Sequence, residues 1–175
     1  MAVLVRASRD ADLPAIQAIY TPAVLNGTAS FELDPPDLAE MTRRRAALLA
    51  DGFPYLVAEI GGEIVGYAYA GQYRPRPAYR HAVEDSIYIA PNQQGKGIGK
   101  ALLGALIAAC EKLGKRQMVA VIGDNLSQGS INLHRAMGFT HAGTVRNVGY
   151  KHGRWLDQVI YQRTLGPGAE TAPET

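Results

Sequence analysis

One short run constrains this chain more than any other: Gln94-Gly95-Lys96-Gly97-Ile98-Gly99, set between a β-rich apolar stretch and an amphipathic one. Upstream, Ser86-Ile87-Tyr88-Ile89-Ala90 has the composition of a strand and stops at Pro91. Downstream, Lys100 to Lys112 carries helical periodicity. Three glycines in a strand-to-helix turn let several main-chain N–H groups face one point. The first turn of a helix has no internal acceptors for its N–H groups, and its dipole adds partial positive charge. The turn therefore suits an anion, above all a phosphate. The alternative is a flexible turn with no ligand; the fit of both flanking elements weighs against it.

Three glycine-rich patterns compete for such a turn. A Walker loop needs Gly-Lys followed by Ser or Thr, with an earlier glycine where this chain has Gln94; Ala101 follows Lys100, so it fails twice. The dinucleotide fingerprint G-x-G-x-x-G fails because Gly95, Gly97 and Gly99 are evenly spaced and lie mid-chain. The third pattern is Gln or Arg, two residues, Gly, one residue, then Gly or Ala, and Gln94, Gly97 and Gly99 fill every defined position. This resembles the pyrophosphate loop of the GNAT acetyltransferase superfamily. The resemblance implies acetyl-CoA as co-substrate and no metal. Ser130-Ile131-Asn132-Leu133-His134-Arg135-Ala136-Met137-Gly138-Phe139 is similar to the short GNAT helix that borders the pantetheine arm and ends in Gly-Phe. Gly138 suits the residue just past a helix end, and Phe139 can pack back on the core.

Within the superfamily the chain resembles the phosphinothricin acetyltransferase-like branch over nearly its whole length. The segments that carry this are Asp12-Leu13-Pro14, Phe31-Glu32, Gly66-Tyr67-Ala68, Tyr73-Arg74-Pro75, Tyr79-Arg80, Val83 to Ile89 and, most distinctive, Lys151-His152-Gly153-Arg154-Trp155-Leu156-Asp157. The resemblance implies N-acetylation of the α-amine of a glutamate analogue such as phosphinothricin, methionine sulfoximine or methionine sulfone, a detoxification or resistance chemistry. It also implies a homodimer, with Lys151, Arg154 and Trp155 near the interface. It assigns cofactor contacts to Ile87, Tyr88, Ile89, Gln94, Gly95, Lys96, Gly97, Ile98, Gly99, Lys100 and Ser130. The branch usually has an asparagine three residues before that serine. Here the position is Ser127, and Asn125 lies two residues earlier; either Asn125 reaches in or Ser127 substitutes.

The chemistry follows from residue types. An ammonium must lose a proton before it attacks a thioester, and Glu84, on the strand leading to the glycine loop, is the candidate base; the alternative is a carboxylate that only orients the ammonium. Asp85 alternates to the opposite face. A main-chain N–H near Ile89 suits the developing oxyanion. His134, on the short helix, takes the place of the tyrosine that many GNAT enzymes set beside the leaving thiolate; a satisfied helix histidine is the competing reading. Arg74 and Arg80 suit a carboxylate or phosphinate, because guanidinium forks match such oxygen pairs. Tyr73 and Phe31 would wall the pocket. Other amines, namely polyamines, aminoglycosides or protein N-termini, remain as alternative substrates, and a non-catalytic acetyl-CoA-binding module as an alternative class.

Composition sets the frame. A chain of 175 residues can bury a real core as one domain. A net charge of +2 is too weak to argue for nucleic acid or a membrane surface. The single cysteine, Cys110, excludes an intramolecular disulfide and a cysteine metal cluster, and it lies on the apolar side of its helix. Arg43-Arg44-Arg45 reads as a solvated helix face. No stretch approaches a membrane span, and Met1 to Arg6 contains no leader-like apolar region, so a soluble cytoplasmic protein is expected.

Strand and helix alternate. Strands are expected at Val3–Arg6, Tyr55–Ile60, Glu63–Ala70, His81–Ala90, Gln117–Ile122, Thr140–Gly149 and Gln158–Leu165, the last two joined through Tyr150–Asp157. Helices are expected at Asp10–Leu25, capped by Ser8 or Asp10, at Asp37–Ala50 with Asp37 as cap, at Lys100–Lys112 and at Gly129–Met137. The hairpins make the sheet mixed, so the fold is α/β with a central mixed sheet flanked by helices. Residues 1–165 would form one domain and the Gly/Pro/Ala-rich stretch 166–175 a disordered tail.

Overall fold

Seven strands form one sheet in a computed structural model that describes residues 2–123 and 127–173. They are β1 (Leu4–Ala7), β2 (Tyr55–Ile60), β3 (Glu63–Gln72), β4 (Ala82–Ile89), β5 (Gln117–Ile122), β6 (Thr140–Lys151) and β7 (Arg154–Thr164), in spatial order β1-β2-β3-β4-β5-β7-β6. Every neighbouring pair is antiparallel except β4 and β5. A parallel pair needs a crossover connection, and α3 (Ile98–Lys112) supplies it. The other helices are α1 (Leu13–Asn26), α2 (Leu38–Ala50) and α4 (Gln128–Ala136). No described helix is long and apolar enough to cross a membrane.

The period-2 alternation of the strands divides the core. On one face Tyr55, Val57 and Tyr67 pack with Leu13, Ile16, Tyr20 and Met41 of α1 and α2. On the other, Ala58, Ala68, Ala70, Val83 and Met118 pack against Leu102, Leu103, Leu106 and Cys110 of α3. Small residues on β3 let α3 come close: a Cβ at Gly66 would lie 2.8 Å from Cδ1 of Ile89 and 3.2 Å from Cδ1 of Leu102. Cys110 is fully buried, and burial pushes its thiol up to about 12.

Asp37 caps α2 as expected, its Oδ1 accepting the Glu40 N–H at 2.8 Å. The start of α1 is later than expected. A 3-10 turn at Asp10–Asp12 precedes it, and Asp12 accepts the Arg9 N–H at 2.7 Å and the Arg6 guanidinium at 2.7 and 2.9 Å. The Arg6 bond holds the Asp12 carboxyl below its ordinary range. Ser8 caps nothing; its Oγ accepts from Arg45.

That bond corrects the reading of the arginine triplet. Arg43 is exposed and paired with Glu40. Arg45 is buried, donating at 2.7 Å to Ser8 Oγ, Ser8 O and Asp10 Oδ1. The segment expected to link the last two strands is itself β-hairpin. It turns on His152 and Gly153, with φ of 52° and 73°, the left-handed pair of a two-residue type I′ turn. His152 Nε2 donates to the carbonyl of Gly27 at 3.2 Å. In the stretch expected as a disordered tail, Arg116 donates to the Gly168 carbonyl and Thr171 Oγ1, both at 3.1 Å.

Arg45→Ala is expected to cost about 1–3 kcal/mol, because it removes a buried side chain and its bonds to Ser8 and Asp10, whereas Arg43→Ala should leave the urea midpoint unmoved. Urea denaturation of the two variants checks the contrast.

Candidate functional site

The site begins where two strands part. Parallel pairing runs only from Ala82↔Gln117 to Asp85↔Ala120. Beyond it β4 continues along β3 as far as Gly66↔Ile89, while β5 stays with β7 to Ile122↔Val159. The bonds Tyr73 N–H to Ala82 O and Ala90 N–H to Val65 O set the phase of the ladder. Even-numbered residues of β4 direct their N–H groups at β3, so those of Ile87 and Ile89 turn toward the opening.

A groove of 670 Å³ runs from this opening to the N-terminus of α3. Gly95 and Gly97 have φ of 75° and 80°, left-handed values that favour glycine, and a Cβ at either would meet nothing within 4 Å. The first N–H of α3 with a main-chain acceptor is that of Ala101, bonded to Gly97 O. Among the described residues no main-chain acceptor meets the N–H groups of Ile98, Gly99 and Lys100, which suits them to a ligand, in a 15-residue helix whose dipole adds to their charge. Gly99 serves packing: its Cβ would lie 3.0 Å from Leu133 of α4.

Most predicted cofactor positions line this groove: Ile87, Tyr88 and Ile89 on β4, Gln94, Gly95, Gly97, Ile98, Gly99 and Lys100 on the loop and helix, and Ser127 and Ser130 at α4. Lys96 does not. Its ammonium turns back on the loop, donating to Asn92 O at 3.1 Å and Gln93 Oε1 at 2.9 Å. Asn125 lies outside the described residues. Sequence reasoning missed Ala23, Ala29, Gln93, Gly129, Asn132 and Leu133. Asn132 and Leu133 share a face with Gly129 at helical spacing, a signal that was available; the alanines come from α1 and the loop after it and had none.

Behind the opening the two faces of β4 carry different groups. Glu84, Ser86 and Tyr88 share the side of α1 and α2, where Tyr69 bonds Ser86. Burial raises the Glu84 carboxyl above its ordinary value, Arg74 opposes the rise, and Asp85 adds to it. The Arg74 guanidinium sits 4.6 Å over the Tyr73 ring, which meets Tyr79 edge-on at 5.8 Å. The Arg74 guanidinium thus sits on Tyr73 and within electrostatic reach of Glu84. Phe31 lies across Gly123 and Gly149; a Cβ on them would come within 3.0 and 2.5 Å of its ring. Gly123 also lines a 60 Å³ cavity beside the groove, shared with Asp85, Ser130 and His134.

Arg80 is a correction. It stands with His81, Lys115 and Arg116 around a separate cavity at the C-terminal end of α3, its carbonyl taken by Lys115 at 2.7 Å. Lys151 is buried in its own chain and donates to Ser30 O at 2.8 Å. His134 is also buried, with Nδ1 2.8 Å from the Ser130 carbonyl and Nε2 3.0 Å from Asp85 Oδ2. No group of three or more His, Cys, Asp or Glu among the described residues could hold a metal.

A sheet that splays at its one parallel pair, with a glycine turn opening a helix beside the gap, defines an acyl-CoA-type transferase. The acetyltransferase (GNAT) domain family matches residues 5–160, and the chain belongs to it: it is a GNAT acetyltransferase. It is 54% identical to the phosphinothricin N-acetyltransferase of Alcaligenes faecalis, over 99% of this chain and 88% of that one. It is 43% identical to the L-methionine sulfoximine/L-methionine sulfone acetyltransferase of Pseudomonas paraeruginosa, over 95% and 97%. A crystal structure of a phosphinothricin acetyltransferase from Sinorhizobium meliloti, in complex with acetyl-CoA, superposes with a TM-score of 0.96 at 50% identity, covering 99% and 94% of the two chains.

A carboxyl that protonates more readily in the fold than in the unfolded chain contributes stability at low pH that is lost as pH rises through its raised folded value. Glu84→Gln should therefore gain stability over the wild type as pH climbs from 4 to 8. Urea midpoints of both proteins across that range test it; a constant difference would contradict the burial effect.

Proposed function

We propose that this chain transfers the acetyl group of acetyl-CoA to the α-amine of a small glutamate-analogue amino acid of the phosphinothricin, methionine sulfoximine or methionine sulfone type. The observation that carries the reading is the grouping of Tyr73, Arg74 and Glu84 on the α1/α2 side of the splay. It joins a cation for an acidic substrate to a carboxylate whose proton affinity is lifted toward that of a useful base. The named activities of the Alcaligenes and Pseudomonas relatives support it.

The groove fits acetyl-CoA by its donor set: free N–H groups at the start of α3 for a pyrophosphate, open glycine faces beside them, and an apolar wall from Ile87, Ile89 and Leu133. When bound, acetyl-CoA supplies an activated acyl carbon and a thiolate leaving group. Glu84 takes the proton of the substrate ammonium, directly or through one water. The Ile89 N–H, turned away from β3, meets charge that develops on the carbonyl oxygen. Arg74 forks onto the carboxylate or phosphinate, and Phe31 and Tyr73 close the sides. Ser127, in the place of the usual asparagine, adds a groove hydroxyl.

We further read the protein as a cytoplasmic homodimer with a detoxifying role. Tyr150 and Trp155 are 58% and 62% exposed and pack on each other at 5.2 Å near the hairpin tip, an apolar pair suited to a partner surface next to Arg154. The cation at Arg74 disfavours polyamine and aminoglycoside substrates.

Thiol release from acetyl-CoA tests the assignment with phosphinothricin, methionine sulfoximine, methionine sulfone, glutamate, spermidine and an aminoglycoside. Turnover of the first three alone is the expected result; turnover of the polycations alone overturns it. Glu84→Gln should lower kcat about 10²–10⁴-fold and spare the acetyl-CoA KM. Arg74→Ala should raise the amino-acid KM roughly 10–100-fold, the loss of one charge-assisted hydrogen bond, with the acetyl-CoA KM unmoved.

A further inference from the structure

His134 has no idle nitrogen. Its Nδ1 lies 2.8 Å from the main-chain carbonyl of Ser130, one helical turn back. A carbonyl oxygen only accepts, so Nδ1 carries its hydrogen. Its Nε2 lies 3.0 Å from Oδ2 of Asp85, on β4 and 49 residues away in sequence. One further proton is shared by Nε2 and the carboxylate. With it on nitrogen, the pair is imidazolium and carboxylate; with it on oxygen, both groups are neutral.

The surroundings favour charge on the ring. Asp85 is 6% exposed and His134 is 4% exposed, and Oδ1 of Asp85 is buried with no hydrogen-bond partner among the described residues. A buried carboxylate with one bare oxygen needs a cation close by. The elements packed around the pair bring few other charges. α3 presents the Cys110 thiol, neutral because burial raises it. β5 presents Ala120 and Ile122, and Phe139 meets the imidazole edge-on at 5.0 Å. Arg163 of β7 donates to the Met137 carbonyl at the C-terminal end of α4. Burial lowers the proton affinity of His134, but the Asp85 hydrogen bond and charge and the Ser130 carbonyl outweigh it, so the imidazole is held above its ordinary value.

The position of the pair gives it a use. Asp85 is the last β4 residue paired with β5, so the pair lies at the apex of the splay. It lines the 60 Å³ cavity together with Ser127 and Ser130, and both serines also line the groove. The Ser130 hydroxyl oxygen is 3.4 Å from Nδ1. Neither ring nitrogen points at the groove, so His134 reaches it through that hydroxyl.

We propose that Asp85 is a positioning residue that keeps His134 protonated on both nitrogens, and that the pair feeds a proton through the Ser130 hydroxyl to the leaving thiolate. The inference rests on the acetyl-transfer reading above. As the C–S bond breaks, its electron pair stays on sulfur. Ser130 Oγ gives its proton to the sulfur and takes the Nδ1 hydrogen, which turns from the Ser130 carbonyl at 2.8 Å to Oγ at 3.4 Å. His134 is left neutral, with its remaining hydrogen on Nε2 facing the Asp85 carboxylate, and solvent returns the proton.

The test is ¹⁵N–¹H NMR of the full chain without ligand from pH 5 to 9, with His134→Gln identifying the resonances. In the wild type, both His134 nitrogens should carry hydrogen at pH 7, with a midpoint above that of an ordinary histidine. Asp85→Asn should fold, since its amide can donate to Nε2 of a neutral ring whose Nδ1 hydrogen still meets Ser130 O. It should bring the midpoint down by a unit or more, and Asp85→Glu should restore part of the shift. In turnover, the alkaline limb of kcat should move to lower pH in Asp85→Asn, because activity that needs protonated His134 is lost as pH passes its midpoint. The acetyl-CoA KM should stay within about twofold. A wild-type ring that is singly protonated at pH 7, or an alkaline limb that Asp85→Asn does not move, overturns the proposal. The NMR result needs no amine, so silence across the substrate panel would count against the substrate reading and leave the protonation state decided separately.

Discussion

Everything functional in this fold depends on two parallel strands that stop pairing. β4 and β5 hold together for four residues and then separate. An open strand edge costs free energy, because its N–H and C=O groups lose their partners. Here the cost is offset by the α3 core, where Leu102, Leu103, Leu106 and Cys110 are fully buried against the sheet. The same crossover that makes the parallel pair possible starts at the glycine turn. The unpaired strand edge and the unpaired helix start therefore face one groove, with strand N–H groups at one end and helix N–H groups at the other.

The period of a strand separates the chemistry on β4 into two compartments. Glu84, Ser86 and Tyr88 look toward α1 and α2, into a tyrosine-rich wall where Tyr67 and Tyr88 stack at 5.3 Å and Tyr20 meets Tyr88 edge-on at 4.8 Å. Asp85, Ile87 and Ile89 look toward α3 and α4. Adjacent carboxylates on one strand thus reach opposite environments, one beside Arg74 and one beside His134. In the proposed mechanism, proton removal and proton return fall on opposite sides of a single β-strand.

The legible parts of the structure were those set by short-range rules. The glycine turn, the Asp37 cap and the opposite facing of Glu84 and Asp85 all follow from spacing within a few residues. What escaped depends on partners far along the chain. The burial of Arg45 is decided by Ser8 and Asp10, 35 to 37 residues away. Arg80 was grouped with Arg74 by proximity in sequence, but the turn at Pro77–Tyr79 carries it to Lys115 and the cavity at the C-terminal end of α3. The hairpin turn was hidden because His152 occupies a left-handed position where Asn, Asp or Gly is the usual signal. Lys96 sits inside the phosphate-loop motif, yet its ammonium is taken by a carbonyl and an amide oxygen of its own loop.

Lys151 ties the end of β6 to the loop that carries Phe31. Its ammonium binds the Ser30 carbonyl, Ser30 Oγ meets the Tyr20 hydroxyl at 2.8 Å, and Glu32 is clasped by Arg44. Burial lowers the proton affinity of Lys151, and the charge of Glu32 works against that loss. The hairpin and the loop are thereby one mechanical frame, although 121 residues separate Lys151 from Ser30. If Phe31 walls the substrate pocket as proposed, substitutions at the hairpin base re-aim it without touching any ligand. Selectivity in a lineage of such enzymes can thus drift through a strut that site-directed searches of the pocket would pass over.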